Sequence, residues 1–140
     1  MCGLKEEEKD VLEYIKRFAS EEVKPLARDI DLKEEVPRKL IDRMKELGLF
    51  ASYIPKEYGG YGMSFSFLIR AIEIISKACP STSLVLDGAL TLFGEPVLMF
   101  GSEDLKRKYL KRFWFKCFYI VVCKLHTLSC ICNIVHDGSC

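Results

Sequence analysis

Residues 83–100 are apolar almost all the way round a helix. Leu84, Val85, Leu86, Ala89, Leu90, Leu92, Phe93, Val97, Leu98 and Met99 leave it little polar face. A helix apolar on every side is expected to be buried on every side, so the rest of the chain has to surround it. Pro96 is expected to bend this helix, and Gly101 to end it.

The surrounding segments are themselves helical by pattern. Over residues 5–30, Val11, Leu12, Ile15, Phe18, Ala19, Val23, Leu26, Ala27 and Ile30 recur with the 3.6-residue period of one helical face. Glu6, Glu7 and Glu8 stand in its first turns, where negative charge suits the helix dipole. Pro25 removes one backbone donor and predicts a kink or a restart. Residues 37–47 predict a second helix, with Leu40, Ile41, Met44 and Leu47 as its stripe and Gly48 as its stop. The stretch 49–63 contains Pro55 and Gly59-Gly60-Tyr61-Gly62, which is loop chemistry. Ser64 is placed to cap a third helix over residues 65–77, with Phe65, Leu68, Ile69, Ile72 and Ile75 expected inward. Pro80 and Ser81 separate it from the apolar fourth. Ser102-Glu103-Asp104 opens a short last helix carrying Leu105, Tyr109 and Leu110 on one face. No alternating strand pattern occurs in this body, so the expected class is all-α, a bundle of four to five helices.

Composition divides the chain at residue 113. Residues 1–113 hold 19 Lys+Arg and 19 Asp+Glu, whereas residues 114–140 hold Lys116, Lys124 and Asp137 as their only charged side chains. Cysteine runs the other way: Cys2 and Cys79 before the break, Cys117, Cys123, Cys130, Cys132 and Cys140 after it. The expected domains are therefore a helical body, 1–113, and a divergent apolar Cys-rich tail, 114–140. The net charge of +1 argues against a phosphate-tracking surface, so no nucleic-acid partner is expected. The opening lacks a charged n-region followed by an apolar h-region, and the body's two distant cysteines suggest no disulfide framework. Both point to a cytoplasmic protein.

Several motifs invite sharper readings. Gly59-Gly60-Tyr61-Gly62 lacks the Lys-Ser/Thr of a P-loop and bridges no strand to a helix, so a tight turn is the expectation. Asp29, Asp31, Glu34 and Glu35 form an acidic run with no matched acid or base, and a solvated face is expected. Asp87 sits in the most apolar helix; burial there would raise its pKa, and the alternative is that it faces water, a loop or Arg70. The body has no histidine, which removes Ser-His-Asp and Cys-His catalysis, and no catalytic or metal-ligating set is assigned in it. The tail spaces Cys123, His126, Cys130, Cys132, His136 and Cys140 as candidate zinc ligands, but the paired short knuckles of a zinc site are missing. Residues 114–135 are apolar over a membrane-spanning length, yet Lys124 lies near the centre at a cost of about 2.5–3.5 kcal/mol. Neither a metal nor a membrane is expected. A non-native extension from a shifted reading frame is the favoured reading of the tail.

Four pieces in order resemble one family. They are Phe18-Ala19-x3-Val23-x-Pro25-Leu26-Ala27-x2-Ile30-Asp31; Val36-Pro37 with Met44-x2-Leu47-Gly48-Leu49; Ile54-Pro55-x-Glu57-Tyr58-Gly59-Gly60-x-Gly62; and Phe100-Gly101-Ser102-Glu103-Asp104-Leu105-Lys106-x-Lys108-Tyr109-Leu110. Over residues 4–112 the chain resembles the helical N-terminal domain of acyl-CoA dehydrogenases. The resemblance implies a parent flavoprotein of fatty acid metabolism, using FAD to oxidise acyl-CoA thioesters at Cα–Cβ. A glutamate from elsewhere removes the α proton. It also implies that a β domain opening on a Thr-Glu-Pro-type stretch should follow Leu110, and residues 114–140 show none. The expectation is a fragment that stops before the flavin-binding and catalytic parts, assigned no cofactor-binding residue and holding no FAD by itself. By position in the family, Leu84, Val85, Gly88 and Leu92 would wall the acyl pocket; the alternative is that they are simply core. Two other readings remain: a non-catalytic helical interaction module, self-associating through apolar surface the absent domains would cover, or a nonfunctional product of an interrupted gene.

Overall fold

The computed structural model of this chain describes residues 4–110. The expectations for the tail, including the zinc spacing and the span at 114–135, lie outside those residues. Among the described residues every regular element is helical, and the helices join into five rods.

The first rod begins with α1 (Glu6–Phe18), passes through a π turn at Ala19–Val23 and a 3-10 turn at Lys24–Leu26, and continues as α2 (Ala27–Lys33). The irregularity has a local cause. Pro25 has no N–H for the Glu21 carbonyl, and its ring would clash with that carbonyl in a regular helix. A wider turn just before it relieves the clash without ending the rod. The second rod is α3 (Arg38–Glu46), capped by Pro37 and stopped by Gly48 at φ 69°. Arg43 on α3 donates through Nε to both carboxylate oxygens of Glu22 at 3.2 Å, which ties α3 to the first rod.

The third rod is α4 (Phe65–Ala78). Ser64 Oγ accepts the Phe67 N–H at 3.1 Å, the cap that the sequence signals. The expected inward face needs correction. Phe67, Leu68, Ala71 and Ile75 are buried, whereas Phe65 and Ile69 are each 46% exposed. Apolar residues surround α4, so periodicity alone cannot pick the side that packing against α1 and α5 selects.

The fourth rod runs unbroken from Pro80 to Phe100, as α5 (Pro80–Asp87), a π turn at Gly88–Gly94 and α6 (Glu95–Phe100). Pro80 opens this rod as its first helical residue rather than lying between helices, which its missing N–H permits. Pro96 follows a π turn just as Pro25 does. The rod is 21 residues and holds an 18-residue window of mean hydropathy 1.4, long and apolar enough to cross a membrane by length and composition. Its inward side (Val85, Leu86, Ala89 and Leu90) belongs to the core. The expectation of burial on every side is nevertheless corrected: Leu84 is 60%, Leu92 66%, Met99 65% and Phe100 82% exposed. Too few partners surround it, since α4 packs along α5 and the last helix covers part of α6.

That last helix, α7 (Glu103–Tyr109), is capped by Ser102 Oγ, which accepts the Leu105 N–H at 3.3 Å. It turns back along α6 and brings Tyr109 edge-on to Phe93 at 6.3 Å between ring centroids. The core that joins the rods includes Ile15, Val23, Ile30, Met44, Ile54, Phe67, Leu68, Ile75, Leu86, Leu90 and Leu110. Each such side chain contributes roughly 1.5–3 kcal/mol relative to exposure.

Candidate functional site

The sequence-assigned residues Leu84, Val85, Gly88 and Leu92 separate in the structure. Val85 is 8% exposed and packs into the core. Leu84 and Leu92 are instead more than half exposed. Gly88 between them is itself buried, yet a Cβ built on it would meet no heavy atom within 4 Å. The result is an apolar strip with a notch at its centre. In a regular α-helix, residues eight apart diverge by about 80°. The π turn over Gly88–Gly94 winds less per residue and takes up part of that drift, so both leucines reach the same open side. Asp87, beside the strip, accepts a hydrogen bond from Thr91 Oγ1 at 2.8 Å through Oδ1.

An open cleft of about 460 Å³ lies on another part of the molecule, lined by Tyr53, Pro55, Glu57, Tyr58, Gly62, Met63, Leu98 and Lys106. Tyr58 is buried there and donates its hydroxyl to Glu103 Oε2 at 3.0 Å, joining the loop to α7. That hydroxyl, with help from Lys106, holds the Glu103 carboxyl below its ordinary pKa. Burial, reinforced by the Glu103 charge, raises the Tyr58 phenol. Sequence reading gave no sign of this pair, which is 45 residues apart.

Sequence reading also missed Glu8, one of the three glutamates assigned to the helix dipole. It is 3% exposed. Its carboxylate accepts the Lys5 N–H at 3.0 Å and the Ser64 N–H at 2.7 Å, joining the start of α1 to the cap of α4. Burial alone would raise its pKa. The N–H donors of Ser64 and Lys5 together outweigh burial and leave it below the usual value.

The glycine cluster forms the turn that its sequence implies and has no donors to spare. Gly60 N–H donates to Pro55 O at 3.1 Å, Tyr61 N–H to Ala51 O at 2.9 Å and Gly62 N–H to Ile54 O at 2.8 Å. A pyrophosphate cradle needs such N–H groups unengaged. This turn therefore offers no unengaged N–H from Gly60, Tyr61 or Gly62 to a phosphate. Among the described residues no group of three or more His, Cys, Asp or Glu is placed to hold a metal.

The fourth rod thus presents exposed Leu84 and Leu92 with open space at Gly88 between them. Residues 5–114 match the family described as acyl-CoA dehydrogenase, N-terminal domain, and the chain belongs to that family. It is 38% identical over 117 residues to cyclohex-1-ene-1-carbonyl-CoA dehydrogenase of Syntrophus aciditrophicus, covering 81% of this chain and 27% of the relative. It is 35% identical over 108 residues to the short-chain specific acyl-CoA dehydrogenase of Clostridium acetobutylicum, covering 77% and 28%. Among solved structures, butyryl-CoA dehydrogenase from Megasphaera elsdenii superposes with a TM-score of 0.73 at 26% identity, over 81% of this chain and 30% of that one. The chain spans about a quarter of the length of the curated relatives it matches.

Proposed function

We propose that this domain serves an acyl-CoA dehydrogenase-like flavoprotein as one wall of the acyl-chain pocket, through Leu84, Gly88 and Leu92. The parent reaction in this reading is FAD-dependent α,β-dehydrogenation of an acyl-CoA thioester. The observation that carries it is the exposed, notched strip on a rod that is otherwise core. Two leucines more than half exposed on a helix are costly unless something apolar covers them. A methylene chain laid along the strip covers them, and the notch leaves room for its width. Val85 acts from behind, packing the rod onto α4 so that the wall is rigid. The α-proton base and the groups that hold the flavin come from outside residues 4–110. Membership of the family over most of the chain leaves a non-catalytic interaction module unfavoured.

On this reading the purified 140-residue chain is colourless and oxidises no acyl-CoA of any length with an artificial electron acceptor. An absorption spectrum and a turnover assay check both. Stoichiometric bound flavin, or turnover that disappears in Asp87→Asn, would place reacting machinery in this chain and contradict the wall reading.

A further inference from the structure

We propose that the open cleft between the 53–63 loop and helices α6 and α7 binds a small alkylammonium cation. The inference does not rest on the acyl-wall reading, because the cleft shares no lining residue with the Leu84–Gly88–Leu92 strip. Its volume of about 460 Å³ lies within the range of small-molecule sites, roughly 300–1,000 Å³. Two aromatic side chains line it, and both are already held. Tyr53 meets Phe65 in a T-shaped contact with 5.7 Å between ring centroids, and Tyr58 is fixed by its hydrogen bond to Glu103. Rings held before binding lose little further freedom when a ligand arrives. The face of an aromatic ring attracts a cation. An alkylated ammonium adds methyl groups, which suit the apolar surface of Pro55, Met63 and Leu98. The charges decide the sign of the ligand. Glu57 and Lys106 are the charged side chains in the lining. Lys106 Nζ lies 3.3 Å from Glu103 Oε1, so its charge is already answered. Glu57 is exposed and has no ion-pair partner among the described residues. A second carboxylate, Glu95, stands close enough to Tyr53 to add to the burial that raises its phenol. Arg107 acts on Tyr58 from outside the lining. The unanswered charge of the lining is therefore negative.

Choline is the probe, and 3,3-dimethylbutan-1-ol, which has the same branched shape without the charge, is its control. Both are titrated into the full 140-residue chain at constant ionic strength, with backbone amide shifts read by NMR. The expected result is saturable shifts at Gly62, Met63, Leu98 and Lys106 with choline, at roughly millimolar affinity. The neutral isostere is expected to bind at least about five-fold more weakly, as two exposed cation–π contacts imply. Glu57→Gln, at an exposed position, is expected to weaken choline about two- to five-fold. Asp31→Asn makes the same charge change on α2 and is expected to leave the affinity unchanged. Tyr53→Leu removes one ring and is expected to weaken choline further. Should that variant disturb shifts throughout the domain, Glu57→Gln and the isostere decide alone. Choline shifts that never saturate overturn the proposal. So does an isostere that binds as well as choline, which leaves only an apolar hollow, or acetate that saturates the same amides more tightly, which makes Lys106 the site of an anion. Choline affinity unchanged in Glu57→Gln overturns it as well.

Discussion

Gly60→Ala is expected to destabilise the domain by more than about 3 kcal/mol, beyond the usual cost of an overpacked site. A Cβ at Gly60 would lie 2.0 Å from the Ile54 carbonyl oxygen and 2.5 Å from the Ile54 carbonyl carbon. These are backbone atoms, so no side-chain rotation relieves the clash. The Ile54 carbonyl accepts the Gly62 N–H, and the Ile54 side chain is fully buried. Moving the carbonyl aside therefore breaks a turn hydrogen bond and withdraws a core residue together. Gly59→Ala is the control next door. Gly59 has φ 87° with open space around it, so alanine there meets only left-handed backbone strain of about 1–2 kcal/mol. Urea unfolding of the two variants against the parent measures the difference. Equal effects would mean that the approach of Gly60 to Ile54 is not as close as described.

Glu8→Gln is expected to cost about 2–3 kcal/mol at neutral pH, the range for a buried, charge-assisted pair of hydrogen bonds half-lost. Glutamine offers one acceptor where the carboxylate offers two. Its amide NH2 must face either the Lys5 or the Ser64 N–H, leaving that donor without a partner. The carboxyl's pKa is lowered in the folded state, so its contribution is fully present above the unfolded pKa and is lost as pH falls through the folded value. The stability gap between parent and Glu8→Gln should therefore narrow on acidification below the ordinary carboxylate pKa. Urea midpoints across that range test the sign, and a gap that widens in acid would contradict the N–H-stabilised carboxylate.

Most of the helical framework was legible because it is written locally. Ser64 and Ser102 are serines directly before helical stripes, and both cap as their position implies. The sequence marks the backbone clash at Pro25 and Pro96 but not the π turns that precede both prolines. The inward side of α4 was not legible, because Phe65, Phe67, Ile69 and Ala71 put apolar groups on both sides, and only α1 and α5 choose between them. The same ambiguity concealed the candidate site. A rod apolar all round reads as buried all round, and Leu84 and Leu92 emerge as exposed only once it is known how few elements pack around it. Glu8 was opaque for a different reason. Its decisive donor, Ser64, is 56 residues away, and an acidic first turn looks solvated unless that contact is known.

The central claim is that the Leu84–Gly88–Leu92 strip forms an acyl wall, and the most direct measurement is a chain-length profile. Residues 4–110 would replace the corresponding helical domain of the butyryl-CoA dehydrogenase from Megasphaera elsdenii. The transplant would be compared with its Gly88→Leu variant, both first confirmed to retain bound flavin. Leucine suits the right-handed backbone at Gly88, φ −55°, and fills the open notch. The account predicts that kcat/KM of the variant falls roughly ten- to hundred-fold more for longer acyl chains than for the shortest, the range that a few methylenes in an apolar pocket command. A flavin-loaded variant whose profile is unchanged across chain lengths would contradict it.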